Sequence, residues 1–158
     1  MKPDFLIAKY KSWKDLNNQL ETLTKSKRSK EAGDIFEHLV KLYLQTAPQY
    51  QSKLKKVYLL NEVPESLKKK LRLPSTDEGI DLIVETFDKT YWSIQAKYRS
   101  DSKQTLTRGE LSTFSDLSFN YCNNIEHGLV CTTAVSYTHL RAHETGRNLV
   151  CRRRLEKK

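Results

Sequence analysis

The stretch Gly79-Ile80-Asp81-Leu82-Ile83-Val84-Glu85-Thr86-Phe87-Asp88-Lys89-Thr90-Tyr91-Trp92-Ser93-Ile94-Gln95-Ala96-Lys97-Tyr98 decides the fold. Two runs rich in β-branched and aromatic residues flank a polar turn at Asp88-Lys89-Thr90, which predicts an antiparallel hairpin. Directly opposed residues of such a pair share a face. A loop over Asp88 to Thr90 sets Phe87 opposite Tyr91, Glu85 opposite Ser93, Ile83 opposite Gln95 and Asp81 opposite Lys97. One face then carries Asp81, Ile83, Glu85, Ser93, Gln95 and Lys97, and is expected to line a wet cleft. The other carries Ile80, Leu82, Val84, Trp92, Ile94, Ala96 and Tyr98. A two-residue loop would join the polar face of one strand to the apolar face of the other, which is costly wherever one face is buried. The pattern therefore selects an odd loop or a bulge, and that choice gathers Asp81, Gln95 and Lys97.

The chemistry of that cluster follows from its atoms. An aspartate and a side-chain amide oxygen are hard ligands suited to Mg²⁺, and the Ala96 carbonyl between Gln95 and Lys97 offers a third oxygen. A lysine beside them can position a water and offset charge in a transition state. The competing reading is a solvated cross-strand Asp–Lys pair worth about 0.2–1 kcal/mol. The hairpin by itself leaves both readings open.

Working outward, helical spacing places a helix before the hairpin from about Glu31 to Gln45, with Ala32, Ile35, Phe36, Leu39 and Tyr43 on one stripe and Val40 and Leu42 widening it. Ala47-Pro48 ends it. Glu37 sits at the edge of the stripe, an acid beside an apolar face. An additional helix is predicted from the Ser12-Trp13-Lys14-Asp15 start, where Ser12 can cap, with Leu16, Leu20 and Leu23 following. Val57-Tyr58-Leu59-Leu60 reads as a strand and Pro64 to Leu71 as a small basic helix. Downstream, Thr107-Arg108-Gly109-Glu110 is a capping box that opens a helix carrying Leu111, Phe114, Leu117 and Tyr121. His127 to Thr132 reads as a last strand.

Gly79-Ile80-Asp81, thirteen intervening residues, and Gln95-Ala96-Lys97 resemble the Gly-x-Asp…Gln-x-Lys variant of the PD-(D/E)xK restriction-endonuclease superfamily, of the Mrr-like kind. Gly33-Asp34-Ile35-Phe36-Glu37 resembles that group's first-helix signature. Val57 to Pro64 and Thr76 to Leu82 resemble the amino-terminal nuclease region of type ISP restriction enzymes and predicted helicases. The resemblance implies an α/β fold with a restriction-endonuclease-like core: a central mixed β-sheet flanked by helices, ordered α-β-β-β-α-β, with an extra N-terminal helix. It implies a metal-dependent endodeoxyribonuclease acting on double-stranded DNA with Mg²⁺, Mn²⁺ being an acceptable substitute. By carry-over the catalytic residues are Asp81, Gln95, Lys97 and Glu37, and the metal ligands are Asp81, Gln95, Ala96 through its carbonyl, and Glu37. Gln95 stands where many relatives have Glu; a neutral amide holds Mg²⁺ less tightly, and Glu37 can restore the missing charge. The alternatives are a nuclease-like module that binds DNA without cutting, and a structure-selective, junction-resolvase-like nuclease.

The domain boundaries expected from sequence are an N-terminal helical extension over 1–28, the nuclease domain over 29–134 and a tail over 135–158. The tail beginning Val135-Ser136-Tyr137-Thr138-His139 resembles translated sequencing-adapter read-through and is expected to be non-native. Helicase or translocase and methyltransferase domains would then follow in the full-length protein. His139 and His143 mimic a metal-ligand pair at helical spacing but fall in this tail. The net charge of +9 divides into +5 for residues 135–158 and +4 for 1–134, so Arg152, Arg153 and Arg154 are no argument for DNA binding. No run approaches the ~18 apolar residues of a membrane span, nor does the start resemble a secretory signal, so a bacterial cytoplasmic location is expected. The three cysteines, Cys122, Cys131 and Cys151, match no zinc spacing and are expected to be reduced. Asp77, Glu78 and Glu85 are weak candidates for the site. Lys68, Lys69, Lys70 and Arg72, and with more promise Arg99, Lys103 and Arg108, are candidates for phosphate contact. Trp92 and Tyr98 are expected in the core rather than stacked on bases.

Overall fold

A computed structural model describes residues 8–75, 79–101, 104 and 106–133, together with the backbone of 150–156. In chain order the elements are α1 (Trp13–Lys25), α2 (Ser29–Thr46), the single turn α3 (Pro48–Gln51), β1 (Leu54–Leu59), a 3₁₀ turn (Leu60–Glu62), α4 (Glu65–Leu71), β2 (Leu82–Thr86), β3 (Tyr91–Lys97), α5 (Arg108–Asp116), a π-helical turn (Leu117–Tyr121), β4 (Ile125–Thr132) and β5 (Val150–Glu156). The strands form one sheet in the order β1-β2-β3-β4-β5. β1 with β2 and β2 with β3 pair antiparallel, β3 and β4 pair in parallel, and β5 returns antiparallel to β4. This is the mixed α/β sheet that the sequence predicts, in the predicted order of helix, three strands, helix and strand.

The caps appear where the sequence places them. Ser12 Oγ accepts the Asp15 N–H at 3.2 Å. Thr107 and Glu110 cap each other's backbone reciprocally at the start of α5. α2 presents Phe36, Val40 and Leu44 to the sheet face that carries Leu82, Val84, Trp92 and Ile94. Its Ala32 and Ile35 turn instead toward Leu16, Leu20 and Leu23, which is how α1 rides on α2.

The hairpin departs from its expected register. Leu82 pairs with Ile94, Ile83 with Ser93, Val84 with Trp92 and Glu85 with Tyr91, a shift of two residues from the predicted pairs. Its cause lies at the tip. The Thr86 N–H donates to the Thr90 carbonyl at 3.0 Å, and the two threonine hydroxyls meet at 2.8 Å. The loop is thus Phe87-Asp88-Lys89, with Lys89 in the left-handed region at φ 63°, as three-residue hairpin loops prefer. A two-residue shift preserves which side chains share a face. A one-residue slip would not, and each apolar core side chain turned outward would forfeit about 1.5–3 kcal/mol.

The polar face of the hairpin is not a wet cleft along its length. Ile83 and Ser93 are fully buried, because α4, α5 and the π-helical turn cover this side. Ile83 packs with Leu71 and Phe114, and the Ser93 hydroxyl bonds that of Ser118 at 2.8 Å. Ile80 joins this core rather than that of Leu82, since it precedes β2 and escapes the strand's alternation. Close seating of α5 depends on Gly128: a Cβ there would lie 3.0 Å from Phe114 Cε1.

Cys131 is disulfide-bonded, against the expectation of reduced thiols. Cys131 lies on β4, whose backbone pairs with that of β5. Cys122 is free and buried, and burial pushes its thiol up to about 11. β5 lies beyond residue 134, where the sequence places the end of the nuclease domain. That boundary is open to a direct test: if the folding unit ends at 134, removing 135–158 moves the thermal midpoint little. A loss above about 2 kcal/mol in denaturant unfolding would instead make β5 part of the folding unit.

Candidate active site

Asp81 stands just before β2 and is fixed through its backbone on both sides. Its N–H donates to the Ile94 carbonyl at 2.9 Å, and its carbonyl accepts the Leu60 N–H at 2.9 Å. The side chain is tied as well: Oδ2 accepts the Ala96 N–H at 2.6 Å. Asp81 is therefore locked between β1 and β3, with its carboxylate on the strand that carries Gln95, Ala96 and Lys97. Continued by one step, the observed register sets Asp81 across from Gln95, with Lys97 further along the same edge of β3.

These residues line a cleft of about 870 Å³ at the end of the sheet, between α2 and α5. Gly33, Asp34 and Glu37 of α2 form one wall, and Glu110 and Thr113 of α5 form the other. Asp81, Gln95, Ala96, Lys97 and Glu37, all named from sequence, border this one cleft. Asp81 and Gln95 are buried, whereas Glu37, Ala96 and Lys97 are half-buried. Glu37 reaches the cleft for the reason its position suggests, since Phe36 beside it is wholly buried against the sheet.

Gly79 makes room for this arrangement. It adopts φ +114°, and a Cβ would meet Gln95 Nε2 at 3.2 Å. Side chains rarely adopt such a backbone conformation. The Gln95 Oε1 atom is buried and has no hydrogen-bond partner. A buried amide oxygen left unmet costs about 1–3 kcal/mol, and a bound cation would satisfy it. Among the described residues no three His, Cys, Asp or Glu side chains gather into a metal-holding group. The donor set around the cleft is thus mixed: carboxylates from Asp81 and Glu37, the Gln95 amide and the Ala96 carbonyl. Oxygen donors of this kind fit a hard divalent cation.

Other candidates lie elsewhere. Glu85 pairs with Lys55 at 2.8 Å, away from the cleft. Lys68 bonds Glu65 at 2.8 Å, Lys70 lies over the Tyr91 ring at 4.8 Å and Arg72 over that of Tyr121 at 5.1 Å. Lys70 is thereby placed at the start of β3, opposite to the end that holds Lys97. Trp92 is in the core, and Tyr98 packs against Phe36 with ring centroids 5.9 Å apart while also bordering the cleft. Burial raises the Tyr98 hydroxyl to about 12, with Glu21 adding to the effect. Arg99 lines the cleft but Arg108 does not. Asp77, Glu78 and Lys103 lie outside the described residues. Lys30 and Glu110 are cleft residues missed in the sequence as site residues. The Glu110 signal was present in its capping box, which announces a helix start but not which cavity that start borders.

The fold agrees with the comparisons. A family model described as "Restriction endonuclease", Mrr_cat_2, matches residues 45–153. The chain belongs to this restriction-endonuclease family. The match includes Asp81, Gln95, Ala96 and Lys97, whereas Glu37 precedes it. Among solved structures, the chain is similar to an ATP-dependent type ISP restriction-modification enzyme, LlaBIII, bound to DNA, with 28% identity and a TM-score of 0.52 over 77% of this chain. The chain spans 6% of the length of that enzyme. No curated protein sequence matches it. Among the described residues no helix is long and apolar enough to cross a membrane.

Proposed function

We propose that this chain is a Mg²⁺-dependent DNA endonuclease domain that hydrolyses phosphodiester bonds, with Mn²⁺ able to substitute. It acts as the cleavage module of a larger restriction-modification protein whose helicase or translocase and methyltransferase parts lie outside this chain. The observation that carries the reading is the buried, partnerless Gln95 Oε1 in the same cleft as Asp81 and Lys97. An intact donor set joined to a half-buried lysine favours cutting over mere binding.

In this reading Asp81, Gln95, the Ala96 carbonyl and Glu37 would hold the cation. A cation held there would supply Lewis acidity toward a phosphoryl oxygen and a nearby water. Asp81 keeps its aim through the Ala96 N–H. Lys97 orients the attacking water and offsets charge as it builds on the phosphate. Glu37 supplies the negative charge that an amide at position 95 lacks. Nicking of supercoiled DNA should require Mg²⁺ or Mn²⁺ and stop in excess chelator. Undiminished nicking in chelator would remove the assignment.

A further inference from the structure

Arg99 lies two residues beyond Lys97 and borders the same cleft. Its backbone is clamped to the end of β4: the Arg99 N–H donates to Thr133 Oγ1 and the Thr133 hydroxyl donates to the Arg99 carbonyl, both at 2.9 Å. Its side chain is held too, because Arg99 Nη2 donates to Glu110 Oε1 in an ion pair. Glu110 is anchored in turn. Its Oε2 accepts the Thr107 N–H at 2.9 Å and the Thr107 hydroxyl at 3.0 Å. These bonds, together with Arg99, hold its carboxyl below the usual range.

The guanidinium is nevertheless not satisfied. Its Nε is buried with no hydrogen-bond partner, while 27% of the side chain remains exposed. A buried donor without an acceptor calls for an explanation. Glu110 occupies one nitrogen of a fork built to grip two oxygens at once. An arginine held this rigidly on the cleft wall, its side chain still partly exposed, suits a phosphate oxygen. In extended chain, two residues advance about 6–7 Å, so Arg99 reaches a phosphate flanking the one that faces Lys97.

We infer that Arg99 grips a DNA backbone phosphate next to the cleaved one, and that Glu110 is the positioning residue that aims it. This inference rests on the DNA-cleaving reading above. It is tested on the whole chain with a labelled duplex, measuring affinity in chelator over a range of salt and nicking separately in Mg²⁺. Arg99→Ala should weaken binding and flatten the salt slope by about one unit. Arg99→Lys, which keeps the charge and loses the fork, should keep the slope yet nick more slowly. Glu110→Gln should leave the slope intact and slow nicking while the melting curve stays unaltered, which mere loosening of α5 would not give. An unchanged slope in folded Arg99→Ala would overturn the inference while leaving the nuclease reading in place. Wild-type chain that bound no duplex at low salt would overturn both.

Discussion

Lys97→Ala should lower nicking by about 10²–10³-fold, the cost of removing one group that stabilises transition-state charge. Binding should change little. The lysine contributes one positive charge among several backbone contacts, and losing one contact shifts the salt slope by only about one unit. Lys97 is half-buried at the end of β3 and belongs to none of the three apolar clusters, so its removal leaves no cavity in them. A folded variant with an unaltered melting curve is therefore expected. Nicking and duplex binding measured side by side check the split. Wild-type rates of cleavage in Lys97→Ala would end the assignment of this residue, and with it the reading of the cleft.

Asp81 should prove still less replaceable, and its two roles can be separated. The carboxylate accepts the Ala96 N–H at 2.6 Å and, in the proposed function, is the principal ligand of the cation. Asp81→Asn can keep the hydrogen bond through its amide oxygen but loses the charge. It should fold normally, need much more Mg²⁺ and lose at least about 10³-fold in rate, beyond the loss of one transition-state donor. Asp81→Ala also leaves the Ala96 N–H without its acceptor, adding about 1–3 kcal/mol of destabilisation. Denaturant unfolding of the two variants, alongside Mg²⁺ titration of nicking, checks both parts. Equal stability of the two would show that the hydrogen bond matters little to the fold.

Much of this was legible in the sequence because the hairpin obeys simple alternation. Leu82, Val84, Trp92 and Ile94 could only be satisfied by burial on one side, and that constraint alone brought Asp81, Gln95 and Lys97 to one edge. The two-residue error in register arose because the decisive signal was conformational. Lys89 takes a left-handed backbone that glycine more often marks, and the Thr86–Thr90 hydrogen bonds have no hydropathy signature. The dryness of Ile83 and Ser93 was likewise hidden, since it depends on α5 and the π-helical turn packing from far along the chain. The place of Glu37 at the edge of an apolar stripe was visible as a local conflict, whereas the ligand role expected of it came only from the family resemblance. The Arg99–Glu110 tie was not, because nothing in either residue's neighbourhood names the other.

The β2–β3 hairpin and the parallel β3–β4 pair make different demands on time. A hairpin closes over a three-residue loop in about 1–10 μs, whereas the parallel pair must wait for the crossover through α5, a longer and slower closure. During synthesis the hairpin also emerges first, since residues 81–97 precede 108–132. The edge that gathers Asp81, Gln95 and Lys97 is thus local in sequence, whereas the α5 wall of their cleft is not. A chain arrested before α5 docks would carry these three residues without the wall that confines them.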